Sequence, residues 1–94
     1  MSFNSFSEVL VALKDKKKTR RCLWPEGVYI FIVPGSEFTV NRYPLSTIYP
    51  EGSQVQYAPH IDVAYEDEDG KKFVSTWSPQ NEDLLAEDWE ISEL

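Results

Sequence analysis

The stretch VYIFIVPGSEFTV, residues 28–40, decides how this chain folds. Val28 to Val33 is a run of β-branched and aromatic residues with no polar alternation, the pattern of a strand covered on both faces and therefore central in its sheet. Pro34-Gly35 ends the run, because proline gives no donor to a ladder and glycine permits a turn. Phe38 to Val40 then reads as a short returning strand. A central strand needs neighbours and a cover, and the rest of the sequence supplies both.

Toward the N-terminus, Ser5-Phe6-Ser7-Glu8 has capping-box spacing, and Phe6, Val9, Leu10 and Leu13 follow at i, i+3, i+4 and i+7. The spacing predicts an amphipathic helix over about Phe6 to Lys14, ending among lysines that its dipole favours. A strand is expected from near Thr19, and Trp24-Pro25-Glu26-Gly27 is a turn. Toward the C-terminus, Ile61, Val63 and Tyr65 alternate with Asp62 and Ala64, Asp69-Gly70 signals a turn, and Phe73 to Trp77 resumes, which together predict a β-hairpin. Ser78 as N-cap with Pro79 at the first helical position predicts a short helix to about Ala86, before a last strand around Trp89 to Ile91. Tyr43 to Pro59, with Pro44, Pro50, Pro59 and Gly52, reads as one ordered loop, and long loops in compact domains are functional or covered by a partner. Its Tyr43, Leu45, Ile48, Tyr49 and Tyr57 are too apolar to lie open on a monomer, so burial between subunits is expected. The fold class is α+β: an N-terminal helix packed on a mostly antiparallel β-sheet, with a short second helix near the C-terminus.

At 94 residues the chain is expected to form a single domain over residues 1–94. Its 41% hydrophobic and 14% aromatic content supports folding despite a net charge of -7. No apolar run approaches the roughly 20 residues of a membrane span, and Met1 leads into polar residues, so a cytosolic protein without membrane contact is expected. Cys22 and His60 are the only residues of their kinds, which excludes an intrachain disulfide and argues against a zinc site. The charge is bipolar. Lys14, Lys16, Lys17, Lys18, Arg20 and Arg21 lie within eight positions, whereas residues 66–69 and the tail from Glu82 to Glu93 are acidic. The basic tract admits three readings: a solvated face, a phosphate contact, or one end of a symmetric oligomer meeting the acidic end of its neighbour. Duplex nucleic acid is not an expected partner, since an acidic domain is repelled by a polyanion.

Catalytic patterns are scarce. His60 and Asp62 share a strand face and are the one candidate acid-base pair, but no nucleophile is marked near them. His60 after Pro59 also reads as a strand-entry residue bonded to backbone. Residues 66–70 lack the ligand spacing of a calcium loop, and the four glycines form no phosphate loop. What remains suits binding a nucleotide without reacting it: Trp24, Phe38 and Trp77 offer faces for a base, Arg42 a fork for a phosphate, and Asn41, Asn81 and Asp83 partners for ribose hydroxyls or base edges. Each has a structural alternative. The aromatics, Trp89 and Phe31 above all, can be core, and Arg42 can pair with Asp62 or Glu51 to hold the loop.

Consecutive motifs in this chain are Val33-Pro34-Gly35-Ser36, Phe38, Val40-Asn41-Arg42, Pro44-Leu45, Ile48-Tyr49-Pro50-Glu51-Gly52, Tyr57, Pro59-His60-Ile61-Asp62, Trp77 and Asp83-Leu84-Leu85-Ala86-Glu87-Asp88-Trp89-Glu90. In that order they resemble the phage family of the second Thoeris anti-defence protein. The resemblance implies a non-enzymatic sponge without cofactors. It would act in the host cytoplasm during infection, binding a cyclic ADP-ribose isomer (glycocyclic ADP-ribose) so that the Thoeris effector is not activated. It also implies a homotetramer with pockets at subunit interfaces. Alternatives are a sponge for cyclic dinucleotides of CBASS-type immunity, or a phage protein-binding inhibitor or structural component. On the sponge reading, the turn Pro34-Gly35-Ser36 would let backbone N–H groups, with Ser36 itself, approach the pyrophosphate, Arg42 would neutralise part of its charge, and Phe38 or Trp24 would stack the adenine.

Overall fold

The computed structural model describes residues 3–94. Helix α1 spans Phe6–Lys14, with the Glu8 carboxylate accepting the Ser5 N–H at 3.0 Å in the expected capping box. Seven strands follow: β1 Lys18–Arg21, β2 Tyr29–Val33, β3 Ser36–Thr39, β4 Gln54–Tyr57, β5 His60–Glu66, β6 Lys72–Thr76 and β7 Trp89–Ser92. Helix α2, Asn81–Leu85, lies between β6 and β7. Five strands form one antiparallel sheet in the order β6-β5-β2-β1-β7, with β2 at its centre as the quoted stretch requires.

Alternation across this sheet sorts its side chains. Ile30 pairs with Thr19 and with Val63, so these residues share the face on which α1 packs. There Val9, Leu13, Ile30 and Trp89 make a fully buried core, flanked by Phe6, Trp24, Ile61, Val63, Trp77 and Ala86. On the opposite face Tyr29, Phe31 and Val33 stand beside Ala64, Asp62 and His60, and no helix covers them. Phe31 and Val33 are only half-buried. The expectation of a strand covered on both faces is therefore corrected: cover comes from α1 on one side alone.

The segment from residue 43 to residue 59 is not one loop. It contains a 3-10 turn, Leu45–Thr47, and strand β4, which pairs with β3. Phe38 thus returns along β4 instead of folding back on β2. The β2–β5 and β3–β4 ladders have the same register, from Tyr29↔Ala64 through Val33↔His60 to Ser36↔Tyr57 and Thr39↔Gln54. They are one long ribbon interrupted where Pro34 falls opposite Pro59, two residues that donate no backbone hydrogen bond. Beyond the break the ribbon projects as an arm. The molecule measures 51 × 33 × 25 Å with a radius of gyration of 16.3 Å, against about 12 Å for a compact chain of this length. Val40, 1% exposed, is buried in the arm's tip, with its N–H bonded to the Ser53 carbonyl and its carbonyl accepting from Gly52. Tyr43, Ile48, Tyr49 and Tyr57 remain exposed along the arm.

Two further boundaries differ from expectation. α2 begins at Asn81, two positions past Pro79, because Gln80 is the N-cap and its N–H is taken by the Asp83 carboxylate at 2.9 Å. Part of the basic tract is paired within the chain, while Lys14 and Lys16 stay exposed. β1 lies beside β7, so the basic end meets the acidic end within the chain: Lys17 with Glu93, Arg20 with Glu90, Arg21 with Asp88 and Asp83.

Candidate functional site

The aromatic core reaches the surface at one point. Trp89 is fully buried, its indole N–H given to the Asp83 carbonyl at 3.0 Å. Trp24 packs edge-on against it at 5.2 Å, and Trp77 at 6.0 Å. Trp24 and Trp77 are themselves 6.5 Å apart at an interplanar angle of 66°. Each of these two rings has one side against the core and is half-buried overall. Together with Pro25, Val28, Val63, Ser78, Gln80, Glu82 and Asp83 they line a cleft of about 360 Å³. An open cleft of aromatic surface with a few amides, hydroxyls and carboxylates at its rim can stack a planar ring on one indole face and orient it by hydrogen bonds.

The floor of the cleft is held by charge. Arg21 reaches across from β1 to give Nε–H to Asp88 Oδ1 at 2.9 Å, Nη2–H to Asp88 Oδ2 at 3.2 Å and Nη1–H to Asp83 Oδ1 at 3.2 Å. Arg21 and Asp83 each keep 12% side-chain exposure, so this is a largely desolvated bidentate pair with a third anchor. The Asp88 bond is the main cause raising the Arg21 guanidinium above its ordinary value, with partial desolvation opposing and Asp83 assisting. The same bond, first among its causes, holds the Asp88 carboxyl below the usual carboxylate range. Partial desolvation, followed by the Sγ–H contact to Asp88 Oδ2 at 3.4 Å, pushes the Cys22 thiol up, which keeps it protonated and poorly nucleophilic.

The eight residues singled out in the sequence divide among three places. Trp24, Trp77 and Asp83 line the cleft, and Asn81 is exposed at the start of α2 beside it. Asp83 lends little to a ligand directly, since one of its carboxylate oxygens faces Arg21 and the other accepts the Gln80 N–H. Phe38, Asn41 and Arg42 lie on the arm, lining a separate hollow of about 440 Å³ with Tyr43 and Leu45. Ser36 sits at the arm's root beside Glu37, Gln56 and Tyr57, in a third hollow of about 510 Å³. Among the described residues Arg42 makes no ion pair, with Asp62, Glu51 or any other carboxylate, whereas Arg20 and Arg21 are both paired. Gly35 has a use within the chain: a Cβ there would stand 2.7 Å from the Tyr57 carbonyl oxygen and 3.0 Å from the Pro59 ring, so glycine lets the two strands of the ribbon approach at the break.

His60 and Asp62 meet on the uncovered sheet face, Nε2 to Oδ1 at 3.3 Å, and His60 Nδ1 is 3.1 Å from the Ala58 carbonyl. The backbone contact is the one expected of a strand-entry histidine. The Tyr57 ring stands 5.1 Å away, and among the described residues no serine or cysteine is bonded to the imidazole. The acidic run is a turn: Asp67 Oδ1 accepts the N–H groups of Asp69 and Lys71, each at 2.9 Å, and Gly70 takes a positive φ of 80°. Among the described residues no group of acidic, histidine or cysteine side chains is arranged to hold a metal ion, and no helix is long and apolar enough to cross a membrane.

Sequence reasoning missed Gln80, Ser78 and Glu82 at the rim. The signal for Gln80 was present in its capping-box spacing to Asp83. It also missed that Arg20 and Arg21 support the cleft, because their carboxylate partners lie more than sixty residues away in the chain.

No curated protein matches the chain. Residues 4–92 match the model of the Tad2-like family, described as the Thoeris anti-defense 2-like domain, a match that runs through the helix, both ladders and the cleft. The chain therefore belongs to the Tad2-like family of Thoeris anti-defence proteins, and its role is that of a phage protein acting against Thoeris immunity.

Proposed function

We propose that this protein is a sponge: it binds a cyclic ADP-ribose isomer of the glycocyclic ADP-ribose kind, the Thoeris signal, and withholds it from the effector without changing it. The observation that carries the reading is the cleft at Trp24 and Trp77, two tilted indoles half out of the core, with Gln80, Ser78 and Glu82 lining it. A purine can stack there, and its edge can be read by the rim. The unpaired guanidinium of Arg42 and the Phe38 ring supply, from the arm, the charge complement and second aromatic face that a pyrophosphate and a base require.

These two halves lie in different parts of the protomer, which favours a pocket closed by assembly. The arm projects with Tyr43, Ile48, Tyr49 and Tyr57 exposed, and the sheet face of Phe31 and Val33 is uncovered, so apolar surface is available for a homotetramer in which one protomer's arm approaches another's body. Light scattering tests the assembly: several times the 10.9 kDa of one chain is expected, and a monomer at micromolar concentration would contradict it.

Titration calorimetry with glycocyclic ADP-ribose, other cyclic ADP-ribose isomers and cyclic dinucleotides tests the ligand. Sequestration at signalling concentrations needs nanomolar affinity, about -12 kcal/mol. A ligand of this size supplies roughly that at about 0.3 kcal/mol per heavy atom. Heat with the cyclic dinucleotides alone would turn the reading toward CBASS-type signals. No heat with any nucleotide would favour a protein-binding inhibitor or structural component. The site of action is the host cytoplasm during infection, where the signal is made.

A further inference from the structure

We infer that Arg20, which lines none of the hollows described above, is a positioning residue that fixes Trp24 for ligand binding. The inference rests on the sponge reading for its functional half and on geometry for the rest. Arg20 is the register partner of Glu90 on the uncovered sheet face, and its guanidinium does not extend into solvent. Nη1–H goes to Glu90 Oε2 at 3.2 Å, and Nη2–H goes to the carbonyl oxygens of both Trp24 and Pro25, the latter at 3.1 Å. The aliphatic and planar parts lie near the Tyr29 ring, with the guanidinium carbon 5.9 Å from its centroid. Arg20 Nε is buried with no acceptor, a cost accepted at a group whose other nitrogens are all committed.

The two carbonyls belong to the loop joining β1 to β2, which carries Trp24. That loop has few other ties. Trp24 N–H returns to the Arg21 carbonyl at 3.0 Å, and Val28 N–H to the Pro25 carbonyl at 3.2 Å. Gly27 takes a positive φ of 88° with open space around it, so the loop is not held by packing at that point. The Pro25 carbonyl accepts from both Val28 and Arg20, and consecutive carbonyls drawn to one cation determine the orientation of the peptide between them. The Trp24 backbone is held in this way, and its indole lies against Trp89 at 5.2 Å and Trp77 at 6.5 Å. A planar guanidinium can bridge a carboxylate on one nitrogen and two carbonyls on the other, whereas an ammonium lacks that geometry.

The test compares Arg20→Met and Arg20→Lys with the wild type by two-dimensional NMR and calorimetry. The Trp24 indole N–H signal is assigned by its loss in Trp24→Phe. In Arg20→Met the Trp24 indole signal is expected to move toward that of a solvated tryptophan and the Val28 amide to exchange roughly tenfold faster, while the amides of the β5–β6 ladder exchange at the wild-type rate. Glycocyclic ADP-ribose should bind roughly tenfold more weakly, with Arg20→Lys falling between. A general loss of stability would instead speed exchange in the β5–β6 ladder as well, and that result would overturn the inference. If Arg20→Met fails to fold, Arg20→Lys carries the test, since it keeps the charge and the stem but not the fork. Unchanged Trp24 and Val28 signals in a folded variant overturn the inference. If the wild-type protein takes up no cyclic nucleotide, the sponge reading fails, and the Trp24 and Val28 signals still decide whether Arg20 sets the loop.

Discussion

Replacing Arg21 by Met should destabilise the protein by about 2 kcal/mol, a value bracketed by two limits. Exposed ion pairs contribute roughly 0 to 1 kcal/mol, whereas removing one partner of a fully buried pair costs about 3 to 5 kcal/mol. Arg21 lies between them, with 12% side-chain exposure for itself and Asp83 and 25% for Asp88, and its loss leaves two carboxylates near each other without a cation. In a chain of this length 2 kcal/mol lowers the melting midpoint by roughly 10 °C. A double-mutant cycle with Asp88→Asn isolates the pair, and a coupling above about 1 kcal/mol is expected. Acid titration adds a second readout. Asp88 has a lowered pKa in the folded protein, so the unfolded chain binds its proton first as pH falls. The stabilisation is therefore whole above the ordinary carboxylate range near pH 4 and disappears as pH drops through the folded-state value below it. Asp88→Asn should flatten that acid limb. Thermal melts between pH 7 and pH 2.5 measure both effects, and an Arg21→Met protein that melts like the wild type, with no coupling to Asp88, would refute the stabilising role of Arg21.

Three further outcomes follow from neighbouring geometry. Arg42→Ala should leave the melting midpoint unchanged, because Arg42 has no ion pair among the described residues, and should weaken nucleotide binding by roughly ten- to hundredfold through loss of a charge-assisted bond; unchanged affinity in calorimetry would remove Arg42 from the pocket. Gly35→Ala should splay the arm, since its Cβ would press on the Tyr57 carbonyl at 2.7 Å, and faster amide exchange across β3 and β4 without change in β5 and β6 would register it. Cys22 should react with iodoacetamide more slowly at pH 8 than a free thiol does, and Asp88→Asn should speed it by removing the contact to Oδ2; a rate equal to that of glutathione would contradict the raised thiol.

How much of this was readable from sequence varies with the physics of each element. The helix Phe6–Lys14 was legible to the residue, since an amphipathic period and a capping box are local signals. The central place of β2 was legible too, but its cover was not: a run such as VYIFIV reads alike whether its second face meets its own chain or lies open, as Phe31 and Val33 do. Strand β4, QVQY, escaped because Val55 is its one aliphatic residue and its pairing is an extension of the β2–β5 register past facing prolines. Trp24 stood out in the sequence beside the turn residues Pro25 and Gly27, and Trp77 as an aromatic at a strand end; both prove half-buried and line the cleft. Asp83 was read as a ligand group when it is chiefly an anchor for Arg21 and Gln80, because an ion pair spanning sixty-two positions leaves no local pattern.

The central claim is capture without chemistry, and recovery of the ligand tests it most directly. The protein is incubated with a slight molar deficit of glycocyclic ADP-ribose, passed through a filter that retains the complex, then heat-denatured and analysed by liquid chromatography and mass spectrometry. A sponge leaves no nucleotide in the first filtrate and returns it intact, in full amount, after denaturation, independent of incubation time. Ligand left free in the first filtrate would contradict binding, and a product of altered mass accumulating with time would show an enzyme where the account places a sponge.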